Sequence, residues 1–172
     1  MSVSIREANL ADIEGIGQWY LQFWEEKEDA DFGLALHDEK PDRFQEMRWF
    51  LEFQEACAKG DAIGLVAESE GEIVGFCEVN RVRPPRCEFG SFGRTLSVRK
   101  QSRGRGVGSA LLKEMIERSR GKFEFLELEV FAGNPAAKHI YEKNGFKAYG
   151  LRPQSVKRNG EYVDDMLMHR KL

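Results

Sequence analysis

Cysteine is scarce in this sequence, and its positions form no pattern that would pair thiols or hold a metal. The three cysteines, Cys57, Cys77 and Cys87, are odd in number and lack C-x-x-C spacing. The three histidines are scattered along the chain and show no metal-ligand spacing. We therefore expect reduced thiols, no disulfide framework and no metal site.

Long apolar runs and an excess of basic residues are also lacking. No stretch approaches the roughly 20 apolar residues of a membrane-spanning helix, and the opening residues, MSVSIREANL, lack the basic start and apolar middle of a signal peptide. The formal net charge is −3 and the pI is about 5.7. These absences predict a cytoplasmic protein with no membrane partner, and the overall charge gives no reason to expect a nucleic-acid partner.

The chain does have the length and composition of a compact globular protein. Its 172 residues are 41% hydrophobic and 32% charged, which predicts a single domain over residues 1–172. The spacing of apolar residues predicts the order strand, two helices, three strands, helix, strand, helix and two strands. We therefore predict an α+β (mixed α/β) fold, in which a central mixed, mostly antiparallel sheet of about seven strands carries helices on both faces.

Several element ends carry local signals. Asn9, with Asp12 three residues later, resembles a helix N-cap with its capping box. Pro41 suits the first position of a second helix, apolar over a wide arc, which should stop at Gly60. Asn134, followed by proline, starts a short last helix. The stretches predicted as strands are residues 3–7, 62–69, 72–80, 88–98, 123–130, 147–156 and 161–172.

The stretch SRGRGVGSALL, residues 102–112, places three glycines at alternate positions just before an apolar helical run. After a strand, glycines let the backbone pass close to a ligand, and the first amides of the following helix have no internal partner. The helix dipole favours an anion there, and Arg103 and Arg105 add positive charge. The pattern predicts a pyrophosphate site; the alternative is a glycine-rich turn that only packs tightly.

Two other phosphate-binding motifs do not fit this stretch. A Walker loop needs G-x-x-x-x-G-K-[ST], and no Lys-Ser or Lys-Thr pair follows these glycines. A dinucleotide fingerprint that starts at Gly104 puts Ser109 where the third glycine belongs, and it normally follows an early parallel strand rather than a meander. We therefore expect neither nucleotide triphosphate hydrolysis nor dinucleotide binding.

The glycine stretch and a second motif together resemble the GCN5-related N-acetyltransferase (GNAT) superfamily. The pattern [R/Q]-x-x-G-x-[G/A] is present from Arg103 to Gly108, preceded by LSV. The segment LEVFAGNPAAKHIYEKNGF is similar to the family's fifth strand and fourth helix, and NGEYVDDMLMHRKL is similar to its last strand. The resemblance covers the whole chain in the right order and implies a GNAT-like fold.

This resemblance implies an acetyltransferase that carries acetyl-CoA as donor and needs no metal. A primary amine would attack the thioester directly in a ternary complex. In the family the pyrophosphate lies on the loop amides, and the pantetheine arm pairs with the fourth strand like an extra strand. The implied cofactor-binding residues are Leu96, Ser97, Val98, Arg103, Gly104, Arg105, Gly106, Val107, Gly108, Ser109, Asn134, Ala137 and Tyr141.

Tyr141 is the implied general acid, because a phenol can donate a proton to the thiolate that leaves. Its spacing alone would make it a packed aromatic residue beside Ile140, and the YEKNGF context favours the catalytic role. Asn134 is on local grounds a helix cap. Capping and contact with the cofactor are compatible.

The general base is less defined. Family members often place a glutamate in the fourth strand or use an ordered chain of waters, and the corresponding position here is Gly93. Glu88 and Glu78 lie in neighbouring predicted strands and are the candidate substitutes. The alternative for each is a solvated strand face.

The acceptor is not defined by the sequence: a protein N-terminus, a lysine, a polyamine or another small amine would suit. An acidic segment between the first two helices either attracts a cationic amine or is a solvated loop. Four aromatic residues, Trp24, Phe32, Trp49 and Phe53, either line an acceptor pocket or belong to the core. The acidic residues are Glu25, Glu26, Glu28, Asp29, Asp31, Asp38 and Glu39.

Two other functions compete with acetyl transfer. One is an acyl-CoA-binding module that has lost turnover, which the glycine at position 93 would favour and Tyr141 opposes. The other is nucleic-acid binding through the basic residues Arg99, Lys100, Arg103 and Arg105, which the acidic net charge and the lack of interleaved aromatic residues oppose. The oligomeric state is left open, with a homodimer as one option.

Overall fold

The structure, a computed structural model, describes residues 3–25, 42–82, 89–158 and 160–172. The helices are α1 (Ile13–Glu25), α2 (Arg43–Ala58), α3 (Val107–Ser119) and α4 (Pro135–Lys143). The strands are β1 (Ser4–Glu7), β2 (Ala62–Ser69), β3 (Glu72–Val82), β4 (Phe89–Val98), β5 (Phe125–Phe131), β6 (Lys147–Arg158) and β7 (Glu161–Lys171). This is the predicted order of elements.

In the part of the chain that the structure describes, seven strands form one sheet in the order β1-β2-β3-β4-β5-β7-β6. Neighbouring strands are antiparallel except for β4 and β5, which are parallel. The chain passes between these two through α3, because parallel neighbours need a crossover connection. The predicted mixed, mostly antiparallel sheet is confirmed.

Helices cover both faces of the sheet because side chains alternate along each strand. On β2, Ile63, Leu65 and Ala67 pack into a core with α3 and α4. Ala62 and Val66 point the other way, into a core with α1 and α2. We call these two sides the α3/α4 face and the α1/α2 face. Within the described ranges, every helix is too short or too polar to cross a lipid bilayer.

The helix ends follow their local signals with one exception. Asn9 and Asp12 form the predicted capping box at a short 3-10 helix that leads into α1. The predicted start of the second helix is wrong, since Asp42 is its N-cap and Arg43 its first residue. The Asp42 carboxylate accepts a hydrogen bond from the Phe44 N–H at 2.9 Å, and this side-chain cap decides the start. Pro41 lies outside the described residues.

Only part of the apolar arc of α2 is buried. Phe50 and Phe53 face the core, whereas Phe44 is 76% exposed and Leu51 is 49% exposed. The sheet lies against one side of this helix, so apolar residues on its other side remain in contact with solvent.

β4 and β5 pair over a short stretch and then separate. Their ladder joins Phe89–Ser91 to Phe125–Glu127. The end of β4, Leu96–Val98, pairs with β3 on one side and borders a cavity on the side toward β5. On its other edge, β4 bulges, because three of its residues, 93–95, face the single β3 residue Glu78. We call the space between the diverging strands the gap.

Candidate functional site

A cavity of about 460 Å³ lies at the gap, between the end of β4, the glycine loop (residues 102–109) and α4. Of the residues predicted to bind the cofactor, all except Arg105 line it. Tertiary structure therefore brings three separate sequence segments to one site. The lining residues are Leu96, Ser97, Val98, Ser102, Arg103, Gly104, Gly106, Val107, Gly108, Ser109, Asn134, Ala136, Ala137, Ile140 and Tyr141.

The glycine loop turns on two residues with left-handed backbone. Gly104 has φ +73° and Gly106 has φ +82°, a region that residues with a Cβ rarely adopt. Gly106 is the N-cap of α3, and its carbonyl accepts the bond from the Ala110 N–H at 2.9 Å. The amides of residues 107–109 thus have no acceptor within the helix, and they lie at the positive end of its dipole. Such a helix start is a site for an anion.

Gly108 tests whether this loop fits a CoA pyrophosphate. Its φ is not left-handed, and a Cβ there would meet only Val98 Cγ2 at 3.6 Å, an ordinary van der Waals distance. The protein therefore has no internal need for glycine at this cavity-lining position. A backbone surface kept clear of side chains fits a ligand that approaches the amides closely, as a pyrophosphate would.

The two loop arginines lie in different surroundings. The Arg103 side chain lines the cavity, and its Nε donates to the Val98 carbonyl at 2.8 Å. This bond ties the loop to the end of β4. Arg105, which stands between the two left-handed glycines, is exposed and does not line the cavity.

α4 supplies the remaining wall of the cavity. The Asn134 side chain accepts a hydrogen bond from the Ala137 N–H at 3.0 Å, so the predicted helix cap is confirmed. Tyr141 lines the cavity and also packs edge to face on Phe146, with ring centroids 5.9 Å apart. Burial, with a smaller effect of the nearby Cys77, raises the pKa of Tyr141 to about 12. The phenol therefore keeps its proton throughout the physiological pH range.

The base candidates are placed in different ways. Glu78 is buried, 1% exposed, on β3 opposite the bulge that contains Gly93. Burial and the neighbouring Glu78 charge raise the pKa of the Cys57 thiol to about 11, which keeps that thiol protonated. Glu88 lies outside the described residues.

A polar group that the sequence analysis missed lies on the α1/α2 face beside the gap. The apolar residues of β5 point into the α3/α4 core, so Glu127 and Glu129 between them point to the other face. The Tyr149 hydroxyl lies 3.4 Å from Glu127 Oε2, and the Arg152 guanidinium donates to both oxygens of Glu129 at 2.6 Å. The alternation in FLELEVF indicates a polar strand face, but only the separation of β4 and β5 makes that face border an opening.

Some of the aromatic and acidic candidates for an acceptor pocket lie in the described part of the chain, and others lie outside it. Phe53 is a core residue, 4% exposed, and Trp49 stacks on it with ring centroids 5.6 Å apart. Trp24 is half-buried on α1. Phe32 and the acidic residues that follow Glu25, namely Glu26, Glu28, Asp29, Asp31, Asp38 and Glu39, lie outside the described residues. In the described part of the chain, no group of three or more His, Cys, Asp or Glu side chains is arranged to hold a metal ion.

Comparison with known sequences identifies relatives of the chain. A profile of the Acetyltransferase (GNAT) family matches residues 15–146. An L-methionine sulfoximine/L-methionine sulfone acetyltransferase of Pseudomonas paraeruginosa is 28% identical over 174 residues, which cover 100% of this chain and 96% of the relative. An L-amino acid N-acetyltransferase of Escherichia coli is 38% identical over 109 residues, 62% of this chain and 66% of the relative.

Comparison with solved structures gives the same fold. A GNAT superfamily phosphinothricin acetyltransferase from Sinorhizobium meliloti, solved in complex with acetyl-CoA, superposes with a TM-score of 0.78 at 21% identity. The superposition covers 100% of this chain and 89% of that one. At this identity the likeness is one of fold.

Proposed function

The chain belongs to the acetyltransferase (GNAT) family and uses acetyl-CoA as its acetyl donor, and from this premise we propose that it acetylates the primary amine of a small, amino-acid-like acceptor. The observation that carries the proposal is the cavity, because the glycine loop, whose amides can bind an anion, and the Tyr141 phenol both line it. Relatives named for L-amino acids and L-methionine sulfone support this acceptor class.

The glycine loop and β4 hold the donor in this proposal. The amides of residues 107–109 bind the pyrophosphate, with Arg103 beside them, and the unpaired edge of Leu96–Val98 binds the amides of the pantetheine arm. Asn134 and Ala137 close the other side. When bound, acetyl-CoA supplies an activated acetyl thioester. These contacts lie far from the reacting bond, and their binding energy is available to orient that bond.

Tyr141 stabilises the leaving thiolate in this proposal. The sulfur of the thioester gains negative charge as its bond to the acetyl carbon breaks. The phenol in the cavity wall, whose pKa is raised to about 12, donates a hydrogen bond to this sulfur. A phenol with so high a pKa is a weaker acid than an alkyl thiol, whose pKa is ~8.5. Its main contribution is therefore a hydrogen bond to the developing thiolate in a site of low polarity, where such a bond is strong.

The acceptor reaches the acetyl group from the α1/α2 face, so that the amine nitrogen attacks directly in a ternary complex. An ammonium group cannot attack until it loses a proton, and among the residues described Glu78 remains a candidate for that base. It lies opposite the bulge of β4, where the family resemblance places a glutamate at the position of Gly93.

A thioester-cleavage screen tests the proposal. The protein is mixed with acetyl-CoA and, one at a time, with L-amino acids, L-methionine sulfone, polyamines and peptides with a free N-terminus, and released thiol is measured. Thiol release that depends on an amino acid is the expected result. Thiol release that is faster without an added amine than with any of these amines would contradict acetyl transfer.

A melting scan in parallel separates binding from turnover. Acetyl-CoA at a hundred times its dissociation constant should raise the free energy of unfolding by about 2.7 kcal/mol, and nicotinamide dinucleotides should not. Stabilisation by acetyl-CoA without thiol release for any acceptor would favour the alternative of an acyl-CoA-binding module.

A further inference from the structure

Glu129 and Arg152 lie where an acceptor would enter the gap. Glu127 is the last β5 residue that pairs with β4, and Glu129 follows two residues later, about 7 Å further along the strand. At that distance from the last pair, β4 has reached its bulge at residues 93–95. Glu129 therefore borders the open part of the gap, on the face opposite to Tyr141.

The two side chains form a fixed pair of opposite charges. Arg152 Nη1 and Nη2 each donate to one oxygen of Glu129 at 2.6 Å, and this bond raises the pKa of Arg152. Both side chains are about half exposed, at 51% and 47%. An ion pair this exposed contributes little to folding stability. Its position beside the gap, and not its contribution to stability, therefore points to a role.

The pair keeps unused hydrogen-bonding capacity on its edges. A guanidinium has five N–H donors, of which Glu129 takes two, and a carboxylate has about four lone-pair sites, of which Arg152 takes two. A ligand can therefore add a carboxylate to the arginine and a cationic group to the glutamate without separating them. The complement of such a pair is a molecule that carries both charges on neighbouring groups.

From this geometry we propose that Arg152 and Glu129 together bind the zwitterionic head of an α-amino acid acceptor, the guanidinium holding its α-carboxylate and the glutamate its α-ammonium. An α-amino acid presents its two charges on groups attached to the same carbon, which matches two charged groups that already touch. The inference rests on the proposed acetyl transfer and names the residues that select its acceptor.

The proposal makes the α-carboxylate a requirement for good acceptors. Simple amines and polyamines fill only the glutamate side, and the N-terminus of a peptide carries an amide where an amino acid has its carboxylate. Each of these leaves the Arg152 edge without its anionic partner, which costs the charge-assisted bond. Free amino acids should therefore be acetylated in preference to peptide N-termini.

Arg152→Gln tests this requirement with L-methionine sulfone and its methyl ester, in which an uncharged ester replaces the carboxylate. The wild-type protein should prefer the free acid, and Arg152→Gln should lower kcat/KM for the free acid by roughly ten- to a hundredfold, the loss expected for a bond to a charged group. The value for the ester should stay near that of the wild type. Glu129→Gln should lower kcat/KM for both compounds, since both carry the ammonium.

Arg120→Gln is the matched control. Arg120 is 48% exposed and also donates to one glutamate, Glu117, at the far end of α3, so this variant changes the net charge equally but leaves the gap untouched. It should behave as the wild type with both compounds. The KM for acetyl-CoA should be the same in all variants, which excludes misfolding as the cause.

Each outcome of these measurements supports or overturns the proposal. A loss for the free acid alone in Arg152→Gln supports the proposal. An equal loss for acid and ester, or no loss for either, overturns it. Turnover of polyamines or peptides but of no amino acid also overturns it while acetyl transfer stands, whereas no turnover with any amine contradicts the proposed function itself.

Discussion

The α3/α4 side of the gap is built chiefly from backbone, and the α1/α2 side is built from side chains. On the first side, glycines, helix amides and an unpaired strand edge form the cavity, and the contributing segments lie within residues 96–141. On the second side, Glu78 comes from β3, and Glu129 and Arg152 come from β5 and β6, which the register of the sheet brings together.

This difference predicts that substitutions affect the two sides in different ways. A backbone cradle depends on turn geometry that many sequences can adopt if they keep the glycines. A pair of side chains on two strands is lost when either residue is substituted. The donor side should therefore fail when the backbone is obstructed, and the acceptor side should fail when a charge is removed.

The largest effect is expected for Tyr141→Phe, on the α3/α4 side of the gap. Removing the phenol oxygen should lower kcat by roughly a hundred- to a thousandfold, the loss typical of removing one hydrogen-bond donor to a developing negative charge, while KM for both substrates changes little because the bond matters chiefly in the transition state. Steady-state kinetics with a good amino-acid acceptor measures this.

Tyr149→Phe is its matched control on the opposite face. Tyr149 is 53% exposed and its hydroxyl lies 3.4 Å from Glu127, so kcat should hardly change. Equal kcat in Tyr141→Phe and the wild type would return Tyr141 to the role of a packed aromatic residue.

A smaller effect, confined to the donor side, is expected for Gly108→Ala. The added Cβ would meet Val98 Cγ2 at 3.6 Å, so the protein should melt near the wild-type temperature. It would also stand where the pyrophosphate approaches, and the dissociation constant for acetyl-CoA should rise about tenfold or more, which corresponds to ~1.4 kcal/mol. Titration calorimetry measures this directly.

Gly17→Ala is the control for the donor side. Gly17 lies inside α1, where a Cβ would make ordinary contacts at 3.4 Å and 3.5 Å with Met47 and Arg43. This variant should bind acetyl-CoA as the wild type does. Unchanged binding in Gly108→Ala as well would mean that the glycine loop is only a structural turn.

The smallest effect concerns stability at high pH. The folded-state pKa of Tyr141 is raised to about 12 from an ordinary value of ~10, so the folded state holds the proton more tightly than the unfolded chain. Its contribution is fully present below pH 10 and is lost as the pH rises to about 12. Urea unfolding of the wild type and Tyr141→Phe should show a steeper fall for the wild type in this window. Parallel curves would mean that the phenol is not buried as described.

Local patterns anticipated most of the fold because strands and caps depend on near neighbours. The strand predicted at 62–69 is observed with the same bounds, and Asn9 and Asn134 cap as expected. The second helix was misplaced because Asp42, rather than Pro41, satisfies its first free amides. In the same way, the glycine loop was identified from adjacent residues, but the exposed position of Arg105 depends on the direction of the turn.

The sequence by itself determined the backbone half of the site, since left-handed glycines and free helix amides follow from residues that are neighbours in the chain. It also determined that Glu127 and Glu129 share a strand face, because side chains alternate along any strand. Only the tertiary structure decided what that face borders. β4 and β5 part after three paired residues, and the register of β5 with β7 and of β7 with β6 brings Arg152 to Glu129; such pairings depend on contacts between strands that are distant in sequence, which no local pattern encodes.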